Sequence, residues 1–359
     1  MFRDFEEAKG YISDNDVKMV DLKYADLWGR WHHVTVPASQ FTLALVEEGV
    51  GFDASSVGLK PLKAGDMVVV PDLSTSFVDP FWDASTIGFV CSAKEADTRE
   101  DFTRDPRNIA RRAEAYLRET GIAERSLWGP EFEFYIFDSV AFENEIHRVG
   151  YRLQSSEGEW NSAKGGLGHY IPMHGGYHAH PPRDSLYNLR SEMCIHLEAM
   201  GVPIKYHHHE VGGPGQVEIE TPLMGLLDGG DATMLVKYCT KMTAAKYGQT
   251  VTFMPKPIFG EAGNGMHFHQ MLMRDGLSLF YDPEGYAGLS RTALHYIGGL
   301  LNHGPALLAF TTPSTNSFRR LVPGYEAPVN LFFSVGNRSA AVRIPLYANT
   351  AHEQRIEFR

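Results

Sequence analysis

The sequence GPEFEFYIF, residues 129–137, decides the fold, because acidic and aromatic residues alternate along it. Glu131 and Glu133 lie two positions apart, with Phe132 and Phe134 each following one of them. A β-strand directs successive side chains to opposite faces. The pattern therefore predicts a strand that has one acidic face and one apolar face suited to a core.

Three further stretches repeat this alternation: HHHEVGGPGQVEIE at 207–220, GNGMHFHQ at 263–270 and QRIEFR at 354–359. Their ionisable groups recur at every second position: His208 and Glu210, Glu218 and Glu220, His267 and His269, and Arg355, Glu357 and Arg359. Together the four stretches predict a sheet whose one face is hydrophobic and whose other face is lined by Glu, His and Arg.

Many carboxylates on one face repel one another unless cations neutralise them. Carboxylate oxygens with one or two imidazoles suit Mg²⁺ or Mn²⁺, which also bridge phosphate oxygens. Arginine binds carboxylate or phosphate, and several arginines lie in the same region of the sequence: Arg320, Arg338, Arg343, Arg355 and Arg359. Metal ions and arginines around one cavity indicate phosphoryl transfer from a nucleotide. The residues alone leave a second interpretation open, since a single Glu pair is also typical of the solvated face of an edge strand.

Composition excludes several classes of protein. The chain has 359 residues, 43% of them apolar and 21% charged, as in ordinary globular proteins rather than disordered, collagenous or coiled-coil ones. The net charge of −11 argues against a non-specific nucleic-acid binder. The sequence shows no membrane span, no signal-peptide core and neither of the glycine-rich motifs of P-loop and Rossmann sites. Three widely spaced cysteines are typical of a reducing compartment, so we expect a cytoplasmic enzyme.

A polar connector, AKEADTREDFTRD at 93–105, divides the chain. Before it, one short helix and several strand-like runs predict a small α+β domain over residues 1–104. After it, apolar periodicity and end signals predict four helices within the domain 105–359. They are expected at about 106–120, 185–200, 231–247 and 290–303, with Gly304 ending the last.

The quoted segments, with FMPKPIFGEAGNGMHFHQ at 253–270, STNSFRRLVPGYEAP at 314–328 and NRSAAVRIP at 337–345, resemble the successive signature segments of bacterial and archaeal type I glutamine synthetases. GFDASSVG at 51–58 resembles the loop that this family places against the active site of a neighbouring subunit. The similarity runs from about Val20 to Arg359, and the motifs occur in the order of the family.

The resemblance implies an α+β fold with an N-terminal β-grasp domain (1–104) and a catalytic domain (105–359) built on an antiparallel half-barrel sheet with packed helices. It implies ATP-dependent ligation of ammonia to L-glutamate, which gives L-glutamine through a γ-glutamyl phosphate. The implied partners are L-glutamate, ammonium, ATP and further copies of the chain, in hexameric rings stacked as a dodecamer, with no nucleic acid and no membrane. Because the family normally continues beyond the last segment, we expect a chain truncated at its C-terminal end.

The resemblance also assigns roles to residues. Two ions of Mg²⁺ or Mn²⁺ are expected, one held by Glu133, Glu210 and Glu218 and the other by Glu131, His267 and Glu357. In the family pattern, ATP is contacted by His269, Arg343 and Arg355, and Arg338 has a catalytic role on the transferred phosphate. Glutamate is contacted by Gly263, Arg320 and Arg359, and by His208 near its γ-carboxyl. Asp53 and Tyr177 form an ammonium site, and Glu326 closes over the intermediate.

Some positions depart from the family pattern. Ala262 replaces an Asn that is expected near the substrate amino group, Lys205 replaces an acidic residue, and the expected ATP contacts differ at Gln270, Met271 and His352. Two alternatives therefore stay open at this point. One is a ligase of the same superfamily that joins glutamate to a larger amine such as a polyamine or methylamine, and the other is a weakly active structural homologue.

Overall fold

The structure is a computed structural model, and it describes residues 1–359 apart from the side chain of residue 164. It divides into two compact units. The first comprises Met1–Tyr116, His196–Val202 and Leu226–Lys237, and the second comprises Leu117–Ile195, Pro203–Gly225 and Tyr238–Arg359.

The described residues contain seven α-helices, five of which correspond to helices that the sequence predicts. They are α1 (Phe5–Asp14), α2 (Leu43–Glu48), α3 (Pro106–Glu119), α4 (Tyr187–Ala199), α5 (Leu226–Lys246), α6 (Arg291–Thr311) and α7 (Thr315–Arg320). Side chains cap several N-termini: the carboxylate of Asp4 accepts the Glu7 N–H of α1, and the hydroxyl of Ser290 accepts the Ala293 N–H of α6. Within the described residues, none of these helices is both long enough and apolar enough to cross a membrane.

Two of the predicted helix boundaries are wrong. Helix α5 begins at Leu226 rather than near Asp231, and α6 continues through Gly304 to Thr311. Gly304 is buried in α6, where a Cβ would lie 2.9 Å from the side chain of Leu331. Close packing explains this glycine, so the tertiary contact outweighs its low helix propensity.

The first unit contains a six-stranded sheet. Its strands are β1 (Met19–Ala25), β2 (Trp31–Pro37), β3 (Val50–Asp53), β4 (Asp66–Pro71), β5 (Phe77–Asp79) and β6 (Thr86–Glu95). They are arranged in the order β2-β1-β6-β4-β3, with β5 paired to β6, and only β1 and β6 run parallel. Ala8 and Ile12 of α1 pack with Val20, Leu22 and Phe89 of the sheet in one apolar core.

The second unit contains a ten-stranded sheet and a separate hairpin. Its strands are β7 (Arg125–Phe137), β8 (Ser139–Glu145), β9 (Arg148–Gln154), β10 (Tyr206–His209), β11 (Gln216–Glu220), β12 (Met224–Gly225), β13 (Thr250–Thr252), β14 (Met266–Arg274), β15 (Leu277–Ser278), β16 (Asn330–Val335), β17 (Ala340–Ile344) and β18 (Ile356–Phe358). The main order is β10-β11-β7-β14-β18-β17-β16, and β8 pairs with β9 alone. Each motif with alternating charge therefore contributes a strand to one sheet.

Candidate active site

The pairing register brings the ionisable residues of neighbouring strands side by side. Glu218 and Glu220 of β11 lie opposite Glu133 and Glu131 of β7. On the other edge of β7, Glu131 faces His267 of β14. His269 in turn lies opposite Glu357 of β18. The alternate residues of these strands, Phe132, Phe134, Val217, Ile219 and Ile356, are buried in the core, as the alternation predicts.

Glu131, His267 and Glu357 form the first group that could hold a metal ion. One ligand atom from each lies within 4.8 Å of the others. The Nδ1 atom of His267 is 2.9 Å from Glu131 Oε2 and 3.7 Å from Glu357 Oε1. These are the three residues that the sequence assigns to one metal ion.

His208, Glu210 and Glu218 form the second group, with ligand atoms again within 4.8 Å of one another. Glu133, the third residue expected here, accepts a hydrogen bond from the Gly265 N–H (2.7 Å) and has its other oxygen 3.8 Å from His267 Nε2. Glu133 also lines a pocket together with Glu210. The structure thus brings the expected carboxylates together and adds the imidazole of His208 to them.

A third group was not predicted as a set of ligands. Glu220 and His269 lie close to Glu131, with ligand atoms within 4.8 Å of one another. Lys205 forms an ion pair with Glu220, and His269 Nε2 is 2.8 Å from Glu131 Oε1. The alternation that continues from Glu218 to Glu220 indicates that Glu220 lies on the acidic face. Only the strand register shows that Glu220 and His269 both lie close to the carboxylate of Glu131.

Burial and mutual repulsion shift the protonation of these carboxyls. Burial, reinforced by the carboxylate of Glu133, raises the pKa of Glu210 to about 8. Burial and the neighbouring glutamates raise the pKa of Glu218 well above its usual range. Burial also opposes ionisation of Glu131, yet the hydrogen bonds with His267 and His269 outweigh it and hold its pKa well below the usual range. Burial likewise opposes ionisation of Glu357, but His267 and Arg359 outweigh it and lower the pKa of this carboxyl.

This set of donors fits divalent cations. Carboxylates and imidazoles are ligands for Mg²⁺ and Mn²⁺. The pKa values of Glu210 and Glu218 are raised by burial first and by neighbouring carboxylates second, and a bound cation would offset both effects. We infer that the residues present are suited to hold the metal ions that the sequence predicts.

Arginines surround the acidic face. Arg320 Nη2 lies 3.0 Å from His267 Nε2, while Arg343 and Arg359 each pair with one oxygen of Glu357. Arg355 is half-buried, and both it and Arg343 lie over the ring of Tyr347, at 5.5 and 5.7 Å. Arg338 is exposed in the turn before β17.

A cavity of about 140 Å³ lies beside these groups. Its lining includes Glu133 and His267 from the sheet, Glu210 directly after β10, Arg320 and Arg359, Gly263, and Glu326 of the loop after α7. Gly263 has no room for a side chain, because a Cβ there would lie 2.4 Å from the Pro255 carbonyl oxygen and 3.0 Å from Arg320. Its carbonyl accepts a hydrogen bond from the side chain of Gln216 (2.9 Å). The lining of the cavity thus combines carboxylates with guanidinium groups.

The residues expected at an ammonium site lie in different units. Asp53 ends β3 in the first unit, where it accepts hydrogen bonds from Ser55 and Ser56 that lower the pKa of its carboxyl. Tyr177 lies in the second unit, half-exposed, and stacks on His178 at 4.1 Å with His208 5.7 Å away. Burial, with Glu210, raises the pKa of Tyr177.

Sequence reasoning missed two residues that line the cavity, His174 and Tyr325. His174 has φ +61° and its Nδ1 is 3.0 Å from the buried carboxylate of Glu261. The ring of Tyr325 lies beneath the ammonium of Lys256 and packs against His174. His174, Lys256, Glu261 and Tyr325 all lie in loops, so no strand or helix periodicity could have indicated them.

Comparison with known proteins identifies the family of this chain. Residues 103–359 match the family described as glutamine synthetase, catalytic domain, and residues 16–96 match glutamine synthetase, beta-Grasp domain. A glutamine synthetase from Frankia alni is 47% identical over 100% of this chain and 77% of its own length. A protein from Cupriavidus pinatubonensis named 3-hydroxylaminophenol mutase is 46% identical over 97% of this chain and 74% of its own length. The cryo-EM structure of Plasmodium falciparum glutamine synthetase has 29% identity and a TM-score of 0.91, over 100% of this chain and 71% of that one.

These matches confirm the fold predicted from the sequence. The chain has an α+β fold in which a β-grasp part precedes a catalytic part built on a curled half-barrel sheet. The motif resemblance, the register of the acidic strands and the family matches over residues 16–96 and 103–359 agree. The chain belongs to the glutamine synthetase family.

Proposed function

We propose that the protein ligates ammonia to L-glutamate at the expense of ATP, through a γ-glutamyl phosphate. The predicted enzyme class, glutamine synthetase, is confirmed by curated relatives of that name that are 47% identical over the whole chain. One observation carries the proposal for the site: Glu210 and His267, each a member of a carboxylate–imidazole group suited to a divalent cation, line the same cavity as Arg320 and Arg359. This combination can hold a nucleotide phosphate and an amino acid together.

The proposed metal ligands are Glu133, Glu210 and Glu218 for one ion and Glu131, His267 and Glu357 for a second. Mg²⁺ or Mn²⁺ bound there would orient the ATP phosphates and neutralise charge that develops during transfer. The second trio is supported by the mutual distances of its ligand atoms. In the first trio, Glu210 and Glu218 are supported in the same way, and Glu133 by its interaction with the carboxyl of Glu210.

The chain's own residues supply binding and proton transfer. Arg320 and Arg359 would bind the carboxylates of glutamate, with the Gly263 backbone near its amino group and His208 near its γ-carboxyl. Phosphorylation of that carboxyl supplies a leaving group, since a free carboxylate resists attack by ammonia. Tyr177 and Asp53 of a neighbouring subunit would bind ammonium, and the Asp53 carboxylate would take a proton to release ammonia. Glu326 would exclude water and accept a further proton from the nitrogen.

Positive charge on the phosphate side completes the proposed site. His269, Arg343 and Arg355 are proposed to contact ATP, and Arg338 to stabilise the transferred phosphoryl group. His269 and Arg343 also touch the proposed metal ligands Glu131 and Glu357, so they can act on the phosphate and orient a ligand at once.

The assembly and location are part of the same proposal. A site that needs Asp53 from a neighbouring subunit requires a homo-oligomer, and we propose hexameric rings stacked as a dodecamer, with 1–104 and 105–359 as the two domains. The three cysteines form no disulfide within the described residues. We propose a cytoplasmic location on the cysteine pattern.

The test is phosphate release from ATP with Mg²⁺ and glutamate, comparing ammonium with methylamine, ethanolamine and a polyamine, while glutamine is measured directly. Release and glutamine formation with ammonium support the proposal. Glu357→Gln should lose turnover, whereas the matched variant of the exposed Glu353, Glu353→Gln, should keep it. Full activity in Glu357→Gln would contradict the metal assignment.

A second candidate function differs from the first in the amine that is joined to glutamate. Ala262 lines the cavity at a position where the family pattern has Asn, so the pocket wall lacks an expected amide. A γ-glutamylamine ligase would release phosphate with a larger amine and not with ammonium. Because one relative is named for a mutase reaction, the panel also includes 3-hydroxylaminophenol without ATP. Conversion of that compound would replace the ligase proposal.

A further inference from the structure

Two residues that line the cavity, His174 and Tyr325, form a cluster with two further residues that the assigned roles do not use. The cluster consists of His174, Lys256, Glu261 and Tyr325, which we call the Tyr325 clamp. The ammonium of Lys256 lies 3.9 Å from the centre of the Tyr325 ring, and the ring of His174 lies 5.5 Å from it at an angle of 50°. The Tyr325 hydroxyl donates to the Gly260 carbonyl at 3.4 Å. Three separate chain segments thus converge on one ring.

Lys256 is fixed in place on two sides. Its backbone N–H donates to the Asn316 side chain (2.7 Å), and the Asn316 amide donates back to the Lys256 carbonyl (3.0 Å). Its ammonium also donates to the carbonyl oxygen of Glu261. The cation is therefore already ordered, and little side-chain entropy is lost when it contacts the ring.

Glu261 holds the His174 side of the clamp. Its carboxylate is fully buried and accepts hydrogen bonds from the backbone N–H groups of His174 (3.2 Å) and Ala262 (2.9 Å). The same carboxylate lies 3.0 Å from His174 Nδ1. His174 adopts a left-handed backbone conformation that non-glycine residues rarely take, and these contacts keep it there.

The residue after the clamped tyrosine is Glu326, which also has a left-handed backbone, with φ +59°. Arg359 Nη2 donates to its carbonyl at 3.1 Å. The loop over the cavity, residues 322–327, is thus anchored on one side by the Tyr325 clamp and on the other by Arg359. The exposed carboxylate of Glu326 lies between the two anchors.

We propose that Tyr325 is a positioning residue, and that Lys256 and His174 clamp its ring so that the loop 322–327 stays closed over the cavity. The inference rests on the proposed function for its chemical consequence. A γ-glutamyl phosphate formed from glutamate and ATP has two fates. Ammonia attacks its carbonyl carbon and expels phosphate to give glutamine, whereas water attacks the same carbon and returns glutamate and phosphate. The clamp favours the first fate by keeping bulk water out.

The test compares Lys256→Met, which removes the cation and keeps the length, with Lys256→Arg, which keeps a cation. Lys241→Met is the matched control, because Lys241 lies over the ring of Phe253 at 5.9 Å, and that ring is not part of the clamp. The first readout is hydrogen–deuterium exchange of residues 321–328 in the full-length protein. Lys256→Met should raise exchange there roughly 3- to 30-fold, the range that a cation–π contact supplies. Lys256→Arg should restore protection, and Lys241→Met should leave it unchanged.

The second readout is the ratio of phosphate released to glutamine formed at limiting ammonium. It should rise in Lys256→Met and in Tyr325→Leu, and stay at the wild-type value in Tyr325→Phe, which keeps the ring. Unchanged exchange in Lys256→Met, or a lowered melting temperature without a change confined to the loop, would overturn the clamp. A wild-type protein that makes no glutamine would refute the proposed function instead. The hydrogen–deuterium exchange measurement would still show whether Lys256 holds the loop closed.

Discussion

Removing divalent metal should make the stability of the protein depend on pH in an unusual direction. Burial and Glu133 raise the pKa of Glu210 to about 8, against an ordinary value of 4.5. Between these pH values the folded protein holds a proton that the unfolded chain has released. The stability that this proton contributes is fully present below about pH 4.5, and it is lost as the pH rises through about 8.

The size of the effect follows from the same shift. At about 1.4 kcal/mol per pKa unit, Glu210 alone accounts for on the order of 5 kcal/mol of unfolding free energy across that interval. Glu218 adds to it in the same direction, because its pKa is also raised. At roughly 2 °C per kcal/mol for a chain of this size, the melting temperature should fall by on the order of 10 °C from about pH 5 to pH 8.

The assay is thermal unfolding of EDTA-treated protein over this pH range at constant ionic strength, with and without excess Mg²⁺. Magnesium should stabilise most at the high end of the range, where it meets ionised carboxylates rather than protons. Glu210→Gln, which resembles the protonated carboxyl, should flatten the metal-free pH profile and reduce the stabilisation by Mg²⁺. If the metal-free wild type and Glu210→Gln show parallel profiles, the buried carboxyls do not carry the proton and the reasoning fails.

Three further changes test separate parts of the site. Glu357→Gln should weaken Mn²⁺ binding by at least the roughly 10- to 100-fold that is lost when a residue supporting a metal ligand is changed. Electron paramagnetic resonance measures this affinity, and an unchanged value would argue against Glu357 as a ligand. Gly263→Ala should raise the KM for glutamate and cost about 1–3 kcal/mol of stability, since its Cβ would meet the Pro255 carbonyl at 2.4 Å; a variant with normal kinetics would show that this backbone can move. Glu157→Gln should destabilise by about 1–3 kcal/mol in urea unfolding, because its carboxylate is 3.1 Å from the buried His209 Nε2. Burial opposes protonation of His209, but Glu157 raises its pKa overall, so this loss should be full below about pH 6.5 and should disappear as the pH rises above the raised value.

The faces of the strands could be predicted from the sequence because side-chain alternation is a local property. Glu131 and Glu133 must share a face of β7 whatever the partner strand is. The partner strand and its register are not local properties. The group of Glu131, Glu220 and His269 exists because β11 and β14 flank β7 in one particular register, and the alternation of each strand fits several registers equally well.

Two loop residues of the cavity were assigned no role from the sequence for a different reason. His174 and Tyr325 reach the cavity through positions fixed by partners far along the chain, the buried Glu261 and the half-buried Lys256. No periodic signal marks such contacts. The same limit explains why Gly304 was read as the end of a helix, since the packing of Leu331 against it is a tertiary contact. The individual roles of the site residues and the division at residue 104 stay predictions.

The departures from the family pattern acquire physical reasons once the packing is known. Gln270 is buried, and its side-chain oxygen accepts a hydrogen bond from Tyr296 of α6 at 2.7 Å. Met271 lies in the apolar core beneath the sheet. A small hydroxyl residue at 270 would leave the Tyr296 phenol without this acceptor, and one at 271 would leave a cavity in the core, so the packing around β14 accounts for both departures.

Lys205, another departure from the family pattern, compensates for negative charge. It forms an ion pair with Glu220, whose carboxyl has its pKa raised by burial in spite of that cation. An acidic residue at position 205 would add a further negative charge beside Glu220 and the cluster around Glu131. The lysine therefore offsets part of the charge on the third group and leaves the Glu131–His267–Glu357 and His208–Glu210–Glu218 groups as the stronger attractors of divalent cations. Ala262 has no such structural explanation: its carbonyl accepts a hydrogen bond from Tyr135 (2.7 Å), which any residue could provide, and its side chain lines the cavity, so the comparison of amines proposed above tests this departure.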